Sequence, residues 1–386
     1  MKKCLLVLTM ALVVATLLLG GCSSAAPAPA AKSASTEPAQ ASKPAAEPAK
    51  ASAPAPAKEA APAPASAPPA AKAPAKTYDW KFVSPMAPGH SRNASIKQFS
   101  KLLQERSNGA VKITIYEASL GSPADGWDML KNNGTQFLIT ADAFSAGRMP
   151  IASMVGLPVE FPDSTSASLA AAEMLKAGYL KELTDNFKVL YLAASPQFHF
   201  FLRDKKVTKT DDLKGLKIRT AATVQAQLAT ALGATGVTMP SAEVYMGLDR
   251  KVIDGTITGP DNVVDLKLTE VTKYALKQPL TGGLFATMMN KETWDSLTPD
   301  LQKTIDQISQ EVAAAEWKQV VADEEKNWQT VGKTSEIYPL GPEELAKWRA
   351  AAAGVTDKVV AETAAKGYPA KEALELIRKT VAGYKK

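Results

Sequence analysis

The residue in this chain best suited to binding a charged ligand is Arg219, near the end of the stretch GLKIRT. Leu216 and Ile218 alternate with Lys217 and Arg219, which predicts a strand with one buried face. A guanidinium presents a planar fork of donors that fits a carboxylate through two parallel hydrogen bonds. We therefore expect Arg219 to meet an anion. The alternative is that it ends its strand in solvent or pairs with a neighbouring acid.

Residue types that support catalysis are scarce. The chain has two histidines, His90 and His199, and two cysteines, Cys4 and Cys22. It contains no Gly-x-Ser-x-Gly elbow, no phosphate-binding glycine loop and no His-Glu-x-x-His pair. A conventional His-containing triad or a His-rich metal site cannot be assembled from these residues. We expect a protein that is not an enzyme and has no cofactor or metal.

The first 22 residues indicate export. Lys2 and Lys3 precede an apolar run from Leu5 to Leu19, which ends on small residues and a thiol, LLGGC. This is the pattern of a signal peptide and is short for a membrane span. The ending resembles a bacterial lipobox, in which Cys22 becomes the lipidated first residue. An ordinary secretory signal beside a chance cysteine is the alternative.

Residues 23–76 consist almost entirely of Ala, Pro, Ser, Lys and Glu. Such a composition buries too little apolar surface to fold, so we expect a disordered tether that reaches on the order of 150 Å when extended. The formal net charge of the chain is +6. The two signal lysines supply two of these charges, and six lysines against three glutamates in the tether supply three, which leaves +1 for the body. A nearly neutral body argues against nucleic acid as a partner.

Residues 77–386 alternate strand and helix patterns, which predicts an α/β fold with mostly parallel sheets. A second such series begins near Val189, so we expect two lobes with a ligand cleft between them. A long helix is predicted from Thr298 to about Val331. At roughly 45 Å it would be long enough to brace both lobes.

Several segments together resemble the solute-binding proteins of TRAP (tripartite ATP-independent periplasmic) transporters, the DctP-like family. The segments are DLKGLKIRT (212–220), ALGATGVTMPSAEVYMGLDRKVIDG (231–255), LTEVTKY (268–274), YEASLGSPADGWDMLKNNGTQF (116–137) and VGLPVEFP (155–162).

The resemblance implies a two-lobed periplasmic-binding-protein-like fold that closes on a small organic acid and delivers it to TRAP membrane subunits. The family also implies that Arg219 pairs with the ligand carboxylate. We expect lobe 1 to comprise about 77–196 with 284–324, and lobe 2 about 197–283 with 325–386. A lipid anchor at Cys22 would hold the protein at the outer face of the cytoplasmic membrane.

Other candidate ligand-binding residues follow from the resemblance, some of them where the family pattern is altered. Thr258 stands where many members have a ligand-binding Asn, and Asn262 follows four residues later. Ser241 replaces an aromatic residue. His199 falls near the place of a second arginine found in some members, and Arg203 follows it. The remaining candidates are Phe144, Tyr245 and His90. For His90 and His199 a structural role is an equal alternative.

Two other functions stay open on the sequence alone. The same fold could serve an ABC permease or a sensor. Alternatively, the body could be a cell-envelope interaction module in which the cleft binds nothing.

Overall fold

The computed structural model describes residues 76–86, 88–118, 125–145, 147–158 and 160–385. The predicted signal peptide, Cys22 and all but the last residue of the predicted tether lie outside these residues. Within the described part of the chain, no helix is both long and apolar enough to cross a membrane.

Eleven strands occur in the described residues. They are β1 Tyr78–Ser84, β2 Val111–Glu117, β3 Phe137–Ala141, β4 Phe187–Ala194, β5 Phe198–Leu202, β6 Lys217–Thr220, β7 Thr235–Thr238, β8 Gly255–Thr258, β9 Tyr274–Thr281, β10 Leu284–Asn290 and β11 Glu336–Tyr338.

Eleven α-helices accompany them in the same residues. They are α1 Ser91–Arg106, α2 Asp125–Lys131, α3 Ser164–Lys176, α4 Lys181–Thr184, α5 Thr223–Ala231, α6 Val244–Asp249, α7 Pro260–Asp265, α8 Lys291–Asp295, α9 Pro299–Val331, α10 Pro342–Ala365 and α11 Ala370–Gly383.

The strands form two sheets, and each sheet is the centre of one lobe. The first sheet has the order β2-β1-β3-β10-β4, and the second has the order β11-β9-β5-β8-β6-β7. Both are mixed rather than mostly parallel. In the first, β10 runs antiparallel to β3 and β4, and in the second β5 runs antiparallel to β8 and β9. The predicted α/β two-lobed class is confirmed.

Two short segments join the sheets of the two lobes, one from β4 to β5 and one from β9 to β10. They lie side by side, because Ser195 N donates to Gly283 O at 2.9 Å and Gly283 N donates to Ser195 Oγ at 2.9 Å. Asp142, just after β3, accepts from Leu284 N through Oδ1 at 3.2 Å. Burial raises the pKa of this carboxyl to about 6.

Helix α9 braces both lobes as the sequence predicts. Thr298 caps it by accepting from Leu301 N, and Pro299 occupies the first turn, where a missing N–H costs nothing. Its 33 residues span about 50 Å. Ile305 and Val312 pack into the core of the first lobe, and Trp328 packs into that of the second.

The C-terminal helix departs from the predicted lobe boundary. Ala370, Ala373 and Ile377 of α11 are buried in a core of the first lobe together with α3. Helix α10 begins in the second lobe, with Trp348 buried there, and ends in the first. The alanines of α3 leave room for α11 to approach closely, so 370–383 belongs with the first sheet and not with residues 197–283.

A buried ion pair ties α1 to α9. Arg92 and Glu316 are bonded through Nη1 and Oε1, and their side chains are 4% and 3% exposed. Arg92 Nη2 also donates to Ala194 O at 2.7 Å, at the end of β4. The guanidinium lies over the ring of Phe285, 4.4 Å from its centroid. One cation therefore joins α1, α9 and the first connecting segment.

Replacing Arg92 by Met is expected to lower the free energy of unfolding by about 3–5 kcal/mol, because Glu316 would stay buried without a counter-charge. The double variant Arg92→Met/Glu316→Leu should recover most of that loss. Urea titrations followed by circular dichroism measure both. A double variant no more stable than the single one would contradict the assigned role of the pair.

The raised pKa of Asp142 predicts a pH dependence of stability. The folded state holds the proton more tightly than the unfolded chain, so this contribution is complete below about pH 4 and is lost as pH rises through about 6. Relative to Asp142→Asn, whose side chain stays neutral, the native chain should lose about 3 kcal/mol between these limits. Parallel curves of unfolding free energy against pH for the two proteins would refute this.

Candidate ligand-binding site

Arg219 lies near the carboxyl end of β6 and faces the opposite side of the sheet from Ile218. Ile218 is buried in the core that α5 and α10 cover. Arg219 is paired in register with Val237 of β7 and Thr256 of β8. Its side chain is almost fully enclosed, with the residue 3% exposed. The strand predicted from GLKIRT thus places the guanidinium inside the protein and not in solvent.

The hydrogen bonds of Arg219 leave its charge without a counter-ion. Nε donates to Met239 O at 2.9 Å, and Nη2 donates to Ser241 Oγ at 3.1 Å. No carboxylate of the described residues lies within ion-pair distance of it. Burial lowers the pKa of the guanidinium to about 10, so it remains charged at neutral pH. A buried cation without an anion is costly, and such groups are normally paired.

The structure brings His199 and Thr258 to the same face of the second sheet as Arg219. His199 is opposite Thr258 in the β5–β8 pair, and Phe201 is opposite Thr256, the partner of Arg219. Because paired residues point to one side of a sheet, the three candidates share that side. Thr256 was not predicted, and its buried hydroxyl makes no hydrogen bond to the described residues.

His199 is neutral in this position. It is 2% exposed and meets the ring of Trp328 edge-on, with the centroids 4.8 Å apart. Neither ring nitrogen makes a hydrogen bond of normal geometry with the described residues. Burial lowers the pKa of the imidazole to about 3, and interaction with the Gln278 backbone offsets this only in part. His199 can therefore offer one donor and one acceptor but no charge.

Two predicted residues are bonded elsewhere, and a third is exposed. Arg203 bonds Asp204 at 2.8 Å and Asp254 at 3.2 Å, which takes up its guanidinium. Tyr245 donates its hydroxyl to Glu270 at 2.9 Å in an exposed contact. Phe144 is 38% exposed on a 3-10 turn after β3. The pairs Arg203–Asp254 and Tyr245–Glu270 join residues far apart in the chain, so no local sequence pattern predicts them.

The structure also contains a cavity that sequence reasoning missed. It has a volume of about 420 Å³ and lies between α1, α7 and α9, with Pro196 of the first connecting segment at its wall. Arg219 is not among its lining residues. Asp261 and Asp265 of α7 line it, next to the predicted Asn262. These helices are far apart in sequence, so no local motif signals the cavity.

His90 lies beside this cavity as the N-cap of α1. Its Nδ1 accepts from Arg92 N at 3.2 Å, and the neighbouring Gly89 and Ser91 line the cavity. Burial lowers the pKa of His90, and the nearby charge of Arg92 lowers it further. Among the described residues, no group of three His, Cys, Asp or Glu side chains could hold a metal ion.

Comparisons with known proteins agree with this architecture. Residues 82–363 match the family model "Bacterial extracellular solute-binding protein, family 7", DctP. The chain is 26% identical over 287 residues to the C4-dicarboxylate-binding periplasmic protein DctP of Rhodobacter capsulatus, covering 72% of this chain and 85% of that protein. It is 28% identical over 243 residues to the 2,3-diketo-L-gulonate-binding periplasmic protein YiaO of Escherichia coli, covering 61% and 73%.

A solved structure is similar over the whole body. The TRAP solute-binding protein of Rhodoferax ferrireducens, crystallised with copurified benzoate, superimposes with a TM-score of 0.69 at 26% identity. The match covers 80% of this chain and 98% of that one. Because the family model spans well over half of the chain, this protein belongs to the DctP family of bacterial extracellular solute-binding proteins.

Proposed function

We propose that this protein binds a small organic acid through Arg219 and delivers it to a TRAP-type transporter. The observation that carries the proposal is the buried, charged guanidinium with no carboxylate partner among the described residues. A ligand carboxylate would supply the missing anion. The position near the carboxyl end of β6 is typical of ligand sites in α/β proteins.

The hydrogen bonds of Arg219 favour a bidentate ligand. A guanidinium has five N–H groups, and the contacts with Met239 and Ser241 use one on Nε and one on Nη2. The remaining N–H groups lie on Nη1 and Nη2, the end-on pair that binds the two oxygens of one carboxylate. Ser241 and the Met239 carbonyl would then fix the orientation of the fork, and Thr258, Thr256 and His199 would contact the rest of the ligand.

The ligands named for related proteins support an organic acid as the ligand of this protein. C4-dicarboxylate and 2,3-diketo-L-gulonate are named for the two curated relatives, and benzoate copurified with the structural one. These molecules differ in size and ring content but share a carboxylate group. A carboxylate on Arg219 is therefore the common element, and the neighbouring residues would select among acids.

Closure of the lobes would couple binding to delivery. The lobes are joined by the paired segments at Ser195 and Gly283 and by helices α9 and α10, and we expect these connections to restrict their relative motion to a hinge. A ligand that contacts both lobes only in the closed form shifts the equilibrium toward that form. The membrane subunits would then recognise the closed shape.

We further propose that Cys22 is lipidated and that residues 23–76 tether the body to the outer face of the cytoplasmic membrane. Support comes from the LLGGC ending and from the low-complexity composition that follows it. The tether would let the body reach the transporter without fixing its orientation.

Substitution of Arg219 tests the acid site. Arg219→Lys should weaken binding of the best acid about tenfold or more because the fork is lost, and Arg219→Ala about a hundredfold. Thermal shift against a library of small carboxylic acids identifies the ligand, since a ligand at a hundredfold excess over its Kd stabilises the folded state by about 2.7 kcal/mol. Calorimetry then compares the variants.

Arg203→Lys is the matched control, because that arginine is already paired with Asp204 and Asp254. It should bind the acid with unchanged affinity. If Arg219→Ala binds the acid with wild-type affinity, Arg219 is not part of the site. If no acid in the library stabilises the native chain, the alternative function of a cell-envelope interaction module is favoured.

Deletion of residues 23–76, with Cys22 retained, should leave the affinity for the acid unchanged, because the proposed site lies wholly in the body. Growth on the acid as a carbon source should fall if the tether is needed to reach the transporter. Calorimetry on the purified chains measures the first effect. A deleted chain that no longer binds the acid would show that the tether contributes to the site.

A further inference from the structure

His199 lies on the same face of the second sheet as Arg219, two strands away. It is opposite Thr258 in the β5–β8 pair, and Arg219 is opposite Thr256 in the β6–β8 pair. At the usual strand spacing and rise per residue, the two backbone positions are about 12 Å apart. Both residues are enclosed, His199 with 2% and Arg219 with 3% of its surface exposed. An acid of a few carbon atoms that is bound to Arg219 therefore extends toward the imidazole.

The imidazole of His199 has one nitrogen left for a ligand. The Gln278 backbone opposes the lowering of its pKa, as a carbonyl does when it faces a ring N–H. In a neutral imidazole the other nitrogen is an acceptor. This second nitrogen has no partner among the described residues. A buried acceptor without a donor is costly, so it favours a ligand that carries an O–H or N–H group.

His199 does not supply a positive charge. Burial, and to a smaller extent the charge of Lys277, lowers the pKa of the imidazole to about 3. At pH 7 a group with this pKa is protonated in about one molecule in ten thousand. A second carboxylate beside His199 would therefore face a lone pair. It would lose its hydration and gain neither a hydrogen bond nor a counter-charge in return.

The groups around His199 do not change this preference. Trp328 meets the imidazole edge-on, and its N–H interacts with the carboxylate of Glu324 on α9, so the indole donor is in use. The ammonium of Lys277 lies over the indole ring, 4.9 Å from its centroid, and is attracted by Glu324. Lys277 is exposed, so solvent screens its charge. This end of the face favours a neutral group.

Thr256 lies between the two ends and does not discriminate between charged and neutral groups. It is buried on the strand next to Arg219, and its hydroxyl makes no hydrogen bond to the described residues. A hydroxyl can either donate or accept, so it suits many ligands. Selection therefore depends on the ends. Arg219 requires an anionic acceptor, and His199 requires a neutral donor.

We propose that the acid bound by this protein is a hydroxy monocarboxylate, with its carboxylate on Arg219 and its hydroxyl donating to His199. This inference rests on the proposed acid site and names the class of acid that the site selects. A carboxylate accepts hydrogen bonds but cannot donate one. A hydroxyl satisfies the free imidazole nitrogen without bringing a second charge into the protein. The separation of the two side chains places this hydroxyl several atoms from the carboxylate.

Matched acids test the class on the native chain. The pairs are 4-hydroxybutanoate with succinate, and 3-(hydroxymethyl)benzoate with benzene-1,3-dicarboxylate. The members of each pair differ only in a hydroxymethyl group or a carboxylate. In calorimetry at pH 7, the hydroxy acid is expected to bind at least tenfold more tightly than its dicarboxylate partner. It should also bind about tenfold more tightly than butanoate or 3-methylbenzoate, which lack the hydroxyl.

Substitution of His199 locates the preference. His199→Phe keeps a flat ring against Trp328 but removes the acceptor, so affinity for the hydroxy acids should fall about tenfold, and affinity for butanoate should not change. His199→Gln restores an acceptor and should recover part of the loss. His90→Asn is the matched control, because asparagine keeps an acceptor at the N-cap of α1. It should bind every acid as the native chain does.

Three results would overturn the inference. These are no binding of either hydroxy acid by the native chain, a dicarboxylate that binds as tightly as its hydroxy partner, and native affinity for the hydroxy acids in His199→Phe. The first two need no variant, so they decide the matter even if His199→Phe does not fold.

Failure of the proposed acid site would give a different result. In that case Arg219→Ala would keep its affinity for the acids, or no acid would bind. A dicarboxylate that binds the native chain tightly and is lost in Arg219→Ala would leave the acid site in place and refute only the role of His199.

Discussion

The burial of one uncompensated cation sets the chemistry of this protein. Arg219 is 3% exposed, and its described partners are a carbonyl and a hydroxyl rather than a carboxylate. Desolvation works against the charge but does not remove it at neutral pH. The fold tolerates this cost because the sheet, Ser241 and Met239 hold the side chain in place. The unpaired charge is then available to an anion that enters from outside.

At the connection between the lobes, by contrast, the buried cation Arg92 has a carboxylate partner. Arg92 and Glu316 satisfy each other between α1 and α9, and Arg92 also bonds the strand end at Ala194. The two backbone segments are bonded to each other at Ser195 and Gly283. A firm junction concentrates relative motion of the lobes at a few residues. Such a junction lets a small ligand change the arrangement of two large bodies.

The sequence predicted the features that local patterns control. Alternation in GLKIRT placed Arg219 on a strand, and Thr298-Pro299 marked the start of α9 correctly. Sequence patterns did not predict the features that depend on contacts between segments far apart in the chain. Arg203 bonds Asp254 some fifty residues away, and α11 returns to α3, neither of which a local pattern encodes. The cavity between α1, α7 and α9 was missed for the same reason, since these helices meet only in the folded chain.

The placement of Asp261 links these observations. It lies in the first turn of α7, three residues after the end of β8, so the strand that carries Thr256 and Thr258 toward Arg219 also leads to a carboxylate at the junction with α9. We expect β8 and the turn after it to move as one unit because both are short. A shift of the second lobe that displaces Thr256 and Thr258 would then displace Asp261 as well. Closure of the lobes around an acid at Arg219 would therefore also move the wall of the cavity at Asp261.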